Sequence, residues 1–355
     1  MMKKYKIAVI GVGGISECHI AGYKKNPNVE LYAFCDINEE RLQQKGAMHG
    51  VTRLFTDAQA MFDAHPEIDA VSVCTWNNSH ASCSITALNA GKHVLCEKPM
   101  AMNEEEAAQM IEAAKRSGKK LMVGFVRRFG NDTAVVKDFI ENGSVGDIYY
   151  AKATYLRRNG NPGGWFGDKK RSGGGPLIDL GVHVMDLTRY LMGNPKPLSV
   201  YGATFHKLGN RPGVKSAAAY NSADKSGKDV CDVEDMVTAL IRYDNGAVLS
   251  VEASFTLNIK KDEGKIELFG TKGGVSLNPE FELYTEINHY LADVNLNMPT
   301  ALSFDGLFEN EINYFIDSLI QDRDLSSIAE DGKTLMKMID AIYLSAETGK
   351  EVVLS

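Results

Sequence analysis

The segment Gly11-Val12-Gly13-Gly14-Ile15-Ser16 follows directly on the apolar run 6–10, an arrangement suited to cradling a phosphate. Glycine at 11 permits a tight turn out of a strand, and glycine at 13 lets N–H groups at a helix start approach a pyrophosphate. Gly14 and Ile15 complete the loop. The third small position of the pattern is Ser16, a side chain where helix and strand pack closely. Asp36 lies twenty residues further on, at the end of the next apolar run, the rough spacing of an acid that holds an adenosine ribose. A carboxylate there repels a 2′-phosphate, and Ile37-Asn38 brings no cation to offset it, so NAD is expected rather than NADP. Arg41 is the nearby cation that argues the other way. The plainer alternative for Asp36 is a helix N-cap.

Two further groups could act on a substrate. Thr75-Trp76-Asn77-Asn78-Ser79-His80 follows one apolar run and Glu97-Lys98-Pro99 follows another, both placed where parallel strands would end and where such sheets bind ligands. Lys98 sits between a strand end and a proline, on stiff backbone; the bland alternative is a solvated lysine paired with Glu97. Gly173-Gly174-Gly175-Pro176 opens a second site, a helix on which Asp179, His183 and Asp186 fall at i, i+4 and i+7 of one face. An apolar helix with three ionisable groups on one stripe suggests proton handling, or else an exposed stripe with His183 merely hydrogen-bonded. A metal site is not expected, since no cysteine and no second histidine lies at ligand spacing.

These residues need a sheet to present them. The first third alternates strands (6–10, 29–35, a weak 54–55, 70–74, 93–96, 120–123) with helices (15–25, 39–49, 79–90, 104–117), the grammar of a doubly wound parallel sheet. After a linking helix at 132–141 the pattern changes to long alternating segments at 148–156, 198–207, 236–243, 247–257 and 265–269. Asp244-Asn245-Gly246 marks a hairpin between two of them. The fold class is therefore α/β: a doubly wound domain over 1–125, then an α+β domain over 126–355 with a large, mostly antiparallel sheet. Ala247, Leu249, Val251, Ala253, Phe255 and Leu257 should face a core beneath helices at 177–191 and 308–320. The opposite face should meet water or another subunit. Residues about 208–230 read as a variable loop.

Composition narrows the class further. The 355 residues are 44% hydrophobic and 24% charged, with net charge −7 and no basic run, so phosphate-neutralising nucleic-acid binding is not expected. The six cysteines form no C-x-x-C pair, which suits reduced thiols in a cytoplasmic protein. The apolar run after the basic start is too short for a signal peptide or a membrane span.

Taken together, the strand-G-x-G-x-x-S loop, Asp36, Thr75-x-Asn77-x-x-His80, Glu97-Lys98-Pro99 and Gly-Gly-Gly-Pro-Leu-Ile-Asp179-x-Gly-x-His183 resemble the Gfo/Idh/MocA oxidoreductases, the family of glucose–fructose oxidoreductase and inositol dehydrogenase. The likeness runs over essentially the whole chain. It departs from the family at Trp76, usually proline, and at Ser16, often glycine or alanine. The resemblance implies a Rossmann-type NAD domain whose cofactor contacts come from Gly11, Gly13, Gly14, Ile15, Asp36, Ile37, Arg41, Thr75, Asn77, His80, Glu97 and Lys98. It implies Lys98, Asp179 and His183 as the catalytic trio: His183 takes the proton of a sugar or polyol hydroxyl, Lys98 polarises its oxygen, and the carbon's hydride passes to NAD. Substrate contacts are expected from Asp179 and His183 and from Arg128, Tyr155, Arg157 and Trp165, with Arg127, Arg158, Asn159, Asp168 and Lys169 as further candidates. Pairing of the second sheets into dimers or tetramers is expected as well. Two other readings stay open: a glycosidase that oxidises a sugar transiently with held NAD, and a regulator that binds NAD and sugar without chemistry.

Overall fold

The computed structural model of the chain describes residues 4–209, 211, 213–215, 220–226, 229–277, 281–297 and 304–354. They form two compact units, Met1–Phe129 with Ser303–Met336 and Gly130–Leu302 with Lys337–Ser355.

The first unit alternates β1 (Tyr5–Ile10), α1 (Ser16–Lys25), β2 (Val29–Cys35), α2 (Glu39–His49), β3 (Leu54–Phe55), α3 (Ala58–Ala64), β4 (Ala70–Val73), α4 (Asn77–Asn89), β5 (His93–Glu97), α5 (Glu104–Ser117) and β6 (Leu121–Gly124). All pairings are parallel, in the order β3-β2-β1-β4-β5-β6. The order reverses between β1 and β4, and the crevice beyond their carboxyl ends is where a doubly wound sheet binds its ligand. Strands β4 and β6 are buried along their whole length, as sheets with helices on both faces require. The helix ends are set locally. Asn38 and Asn103 cap α2 and α5 by accepting the N–H of Arg41 and of Glu106, and Gly50 and Gly118 close them in the left-handed conformation.

The second unit runs through α6 (Asn131–Glu141), β7 (Ile148–Leu156), a short α7 (Lys169–Ser172), a wide π-turn (Leu177–Gly181) that continues as α8 (Val182–Leu191), and β8 (Pro197–Phe205). Then come β9 (Met236–Tyr243), β10 (Val248–Ser254), β11 (Glu263–Gly270), β12 (Gly273–Leu277), β13 (Glu282–Ile287) and β14 (Tyr290–Val294). The chain ends in α9 (Phe304–Ile320), α10 (Ser326–Thr348) and β15 (Val352–Val353). The nine-stranded sheet has the order β14-β13-β12-β11-β7-β10-β9-β8-β15 and is antiparallel except where β7 meets β10. The expected hairpin joins β9 to β10, with Gly246 at φ +84° and the N–H of Tyr243 donating to Ala247 O. The loop expected near 208–230 lies partly outside the described residues.

The buried face of β10 and its flanks is the expected one as far as Phe255: Ala247, Leu249, Val251, Ala253 and Phe255 are all within the core. Leu257 is half-buried, and Ser254 and Thr256, expected on the opposite face, are buried as well because the strand end is covered on both sides. The π-turn and α8 pack on this side, against β10 and β7. The second expected cover is a different helix. α9 packs in the first unit, where Ile312, Phe315, Ile316 and Leu319 meet Ile7 and Tyr23. It seats against α1 at Gly22, where a Cβ would stand 3.0 Å from Ile312. An apolar stripe shows that a helix needs a partner; the notch at Gly22 decides which. The later part of α10 covers the second sheet instead: Gly202 donates its N–H to Ser345 Oγ at 2.9 Å, and the Tyr243 hydroxyl reaches the Met338 sulfur at 3.7 Å.

On the opposite face of this sheet Val248, Ser250 and Glu252 are half-buried, while Tyr201 and Leu240, paired across β8 and β9, are exposed. None of the six cysteines is in a disulfide, and Cys35, Cys74 and Cys96 are buried. Among the described residues no helix is long and apolar enough to cross a membrane.

Candidate active site

The glycine loop shows which of its features the fold itself needs. Gly11 sits at φ +85°, and a Cβ there would stand 2.7 Å from the Cys74 carbonyl, so both conformation and contact demand glycine. Gly13 differs: a Cβ would meet nothing nearer than Arg41 Nη1 at 3.9 Å. Internal packing gives no reason for glycine at 13, and an external body that must come close to the backbone does. That is the fit a pyrophosphate requires. Ser16 is buried, and its hydroxyl donates to Gly13 O at 2.7 Å, so the departure from glycine ties the loop to the helix start. Gly14 is exposed and Ile15 half-buried at the mouth of α1.

Asp36 is not the N-cap of α2, a role taken by Asn38. Its buried carboxylate accepts the N–H of Val12 and the N–H of Asn38, each at 2.8 Å, and so holds the glycine loop to the end of β2. Arg41 Nη1 stands 3.9 Å from it. Ile37 is 81% exposed beside it, an apolar side chain turned to solvent where an adenine face would find it.

The two loops beyond β4 and β5 are linked by His80. It is buried, with Nδ1 2.7 Å from Pro99 O and Nε2 3.2 Å from Thr75 O. Burial holds its pKa below the ordinary histidine range, and the neutral ring, with a single N–H, donates to one of these two carbonyls and packs its other nitrogen against the second. Asn77 is buried at the start of α4, and Thr75 is half-buried. Lys98 is half-buried, its N–H donating to Glu97 Oε2 at 3.1 Å.

Glu97 turns inward, a placement sequence reasoning did not foresee. Its Oε1 lies 2.8 Å from His19 Nε2, while His19 Nδ1 faces Ser72 Oγ, which also meets the Tyr23 hydroxyl. Glu311, from α9, completes the group: one ligand atom each from His19, Glu97 and Glu311 lie within 4.8 Å of one another. Both Glu311 oxygens are buried without a hydrogen-bond partner. Burial pushes Glu97 up, but His19 and Lys98 outweigh it and hold it below the usual carboxylate range. Burial and the charge of Glu97 drive Glu311 well above that range, so it is the protonated member. His19 and Glu311 stand far apart in sequence, and only the packing of α9 on α1 brings them together.

In the second unit the helix after Pro176 is buried nearly throughout. From Gly174 to Arg189 every residue is buried except Asp179 and His183, which are half-buried. The π-turn brings residues four apart close to eclipse, so the two share one side, and such turns recur at functional sites. Asp186 does not join them. It is buried: three residues along the regular helix α8 place it about 60° round the axis from His183, on the packed side.

The other expected substrate residues divide. Arg128 is spent within the first unit, its guanidinium 3.0 Å from Asp331 and over the Phe125 ring, and Arg127 is half-buried beside it. Tyr155 packs against Leu180, Val233 and Phe255, with Arg157 over its ring and bonded to Gly160 O. Arg158 is exposed and bonds Lys260 O, and Asn159 bridges to Thr256. Trp165 and Phe166 are half-buried with ring centroids 4.0 Å apart. Asp168 caps α7 and holds Arg171, and Lys169 is exposed.

The family model described as an oxidoreductase family with an NAD-binding Rossmann fold, GFO_IDH_MocA, matches residues 5–125. The model of the GFO/IDH/MocA C-terminal domain matches residues 133–276. The chain is 35% identical to the D-glucoside 3-dehydrogenase of Escherichia coli (strain K12), over 98% of this chain and 97% of that one. It is 31% identical to the levoglucosan dehydrogenase of Pseudarthrobacter phenanthrenivorans, over 79% and 75% of the two chains. A solved structure of a levoglucosan dehydrogenase in complex with NADH superposes with TM-score 0.85 at 25% identity, covering 99% of this chain and 100% of that one.

The Glu311 arrangement makes a pH prediction. An acid whose folded pKa is raised keeps a proton that the unfolded chain releases. Its contribution to stability is complete below the unfolded carboxyl pKa, about 4.3, and is lost as pH rises toward the folded value. Glu311→Gln carries no such proton. Its stability relative to wild type should therefore rise with pH from 5 to 7, by up to about 1.4 kcal/mol per pH unit, in urea denaturation. A difference that stays constant over that range would show that Glu311 is ionised in the fold.

Proposed function

The chain belongs to the GFO/IDH/MocA family of NAD-dependent oxidoreductases, and from that premise we propose that it oxidises a secondary hydroxyl of a sugar, glycoside or inositol-like polyol. The observation that carries the reading is the helix on which only Asp179 and His183 reach the surface of an otherwise buried stretch. A fold does not keep two ionisable groups half-open on such a helix for packing.

Gly11, Gly13, Gly14 and Ile15 hold the pyrophosphate, with Asp36 and Ile37 at the adenosine. When bound, NAD supplies the acceptor for the hydride that leaves the carbon being oxidised. The work of the chain is the proton. His183 takes it from the hydroxyl as general base, and Asp179, on the same turn, steadies the imidazolium that forms. The Lys98 ammonium donates to the substrate oxygen and favours the charge that develops there. The relative that oxidises D-glucosides at position 3 shares its identity over nearly the whole chain, which favours a pyranose ring, and a glycoside first. The half-buried pair Trp165 and Phe166 offers such a ring an apolar face, with Tyr155 and Arg157 as further contacts. Possession of both Lys98 and His183 favours an enzyme over a binding protein. Six cysteines outside any disulfide, three of them buried, suit a reducing compartment such as the cytoplasm. The open sheet face with Tyr201 and Leu240 is the surface on which two copies pair.

Four measurements test this. With NAD and a panel of glucosides, free hexoses and inositols, wild type should accumulate NADH stoichiometrically with oxidised product; hydrolysis of a glycoside without NADH would favour the glycosidase route. His183→Asn and Lys98→Met should each lower turnover by roughly 10² to 10⁴-fold, the former with little change in NAD affinity, and near wild-type turnover in His183→Asn would sink the assignment. NAD should be preferred to NADP by on the order of a hundredfold, since like charges meeting cost several kcal/mol. Asp36→Ala should narrow that gap, and equal efficiency with NADP in wild type would contradict it. For assembly, light scattering should report a dimer or tetramer that Leu240→Arg disrupts; a wild-type monomer at micromolar concentration would remove the proposal.

A further inference from the structure

The first N–H groups of a helix lack partners within it, and this helix begins in the interior. Pro176 has no N–H, so the donors needing acceptors flank it at Gly175 and Leu177. Both donate to one side chain: Gly175 to Glu234 Oε2 at 3.0 Å and Leu177 to Glu234 Oε1 at 3.2 Å. The Tyr343 hydroxyl, from the part of α10 in the same unit, donates to Oε1 at 2.9 Å. Glu234 is 3% exposed.

The glycines ahead of the proline make room for this pair. A Cβ on Gly174 would stand 2.0 Å from the Tyr343 oxygen, and one on Gly175 would stand 2.5 Å from the Glu234 carbonyl oxygen. The clamped residues are also the ones that shape the turn. The Gly175 carbonyl accepts the N–H of Asp179 at 3.1 Å, and the Leu177 carbonyl accepts the N–H of Val182, the residue before His183. Two short chains of bonds thus start at one carboxylate and end at the backbone of Asp179 and at the neighbour of His183.

We propose that Glu234, held by Tyr343, is a positioning residue: it sets the π-turn and through it the aim of Asp179 and His183. The proposal rests on the reading that these two act on the substrate. Nothing in it requires Glu234 to touch substrate or cofactor.

Glu234→Gln keeps the shape but points an amide N–H₂ at one of the two donors, so one clamp is lost. With methyl D-glucoside, or the compound of the panel that wild type oxidises best, kcat should fall about tenfold to hundredfold, the usual cost of a misplacement near 1 Å. KM for the sugar should change less than kcat, and NADH affinity by fluorescence titration should be unchanged. Tyr343→Phe, which keeps the carboxylate, should show a milder fall in the same direction and serves if Glu234→Gln does not fold. Adding Glu234→Gln to His183→Asn should cost little further turnover, because the first acts through the second. Amide exchange over 175–183 in the NADH-bound variant should rise while the rest of the unit keeps its protection. Equal kcat and unchanged exchange in both single variants would overturn the proposal. So would a full additional loss in the double variant. If His183→Asn alone leaves turnover intact, the reading of the site fails instead, and the two failures are told apart.

Discussion

A carboxylate taken out of water is tolerated only when donors replace its hydration, and a loop turned inward leaves backbone N–H groups that need acceptors. The structure answers both needs at once, repeatedly. Asp36 accepts from Val12 and Asn38, Glu97 from Lys98, and Glu234 from Gly175 and Leu177. Asp235, next to Glu234, accepts from Leu208 and Gly209. Each of the first three holds a segment of the proposed site: the glycine loop, the Lys98 loop and the turn ahead of His183. A hydrogen bond to a charged group contributes about 1.5–3 kcal/mol, and removing the carboxylate strands its donors as well. The loops are therefore fixed by a few anchors.

This placement separates anchors from the groups proposed to react. Asp36, Glu97 and Glu234 are buried, whereas Lys98, Asp179 and His183 are half-buried. The anchors fix backbone and leave the side chains proposed to react reachable. Glu311 is the exception among the buried acids, lying against Glu97 without a donor of its own and escaping the cost of a second charge by keeping its proton. His80 is packed between the Thr75 and Pro99 carbonyls as a neutral ring, its one N–H donated to one of them.

Much of this was legible in the sequence where the signals are local. Helices α2 and α5 start and stop where their Asn caps and left-handed glycines put them, and the β9–β10 hairpin turns at Asn245-Gly246. The alternation along β10 foretold its buried face as far as Ala253 because the side-chain period of a strand is fixed; Ser254, buried on the other face, departs from it. Short elements such as α3, β12 and β15 carried too few residues for a period to show. The destination of α9 depended on a notch at Gly22 nearly three hundred residues away. His19 and Glu234 were missed for the same reason: each reads as an ordinary residue until the fold brings its partner. The triple stripe of Asp179, His183 and Asp186 failed at Asp186, because spacing does not show how narrow the open strip of a buried helix is, and about 60° round α8 from His183 already lies within the packing.

The central claim is that the two half-open residues of the buried helix face the reacting hydroxyl. The most direct measurement is a structure of the enzyme with NADH and the oxidised sugar. The new carbonyl oxygen should lie within hydrogen-bond reach of the His183 imidazole, about 2.6 to 3.2 Å. A sugar bound productively with its carbonyl oxygen away from His183, and that ring left to solvent, would contradict the account.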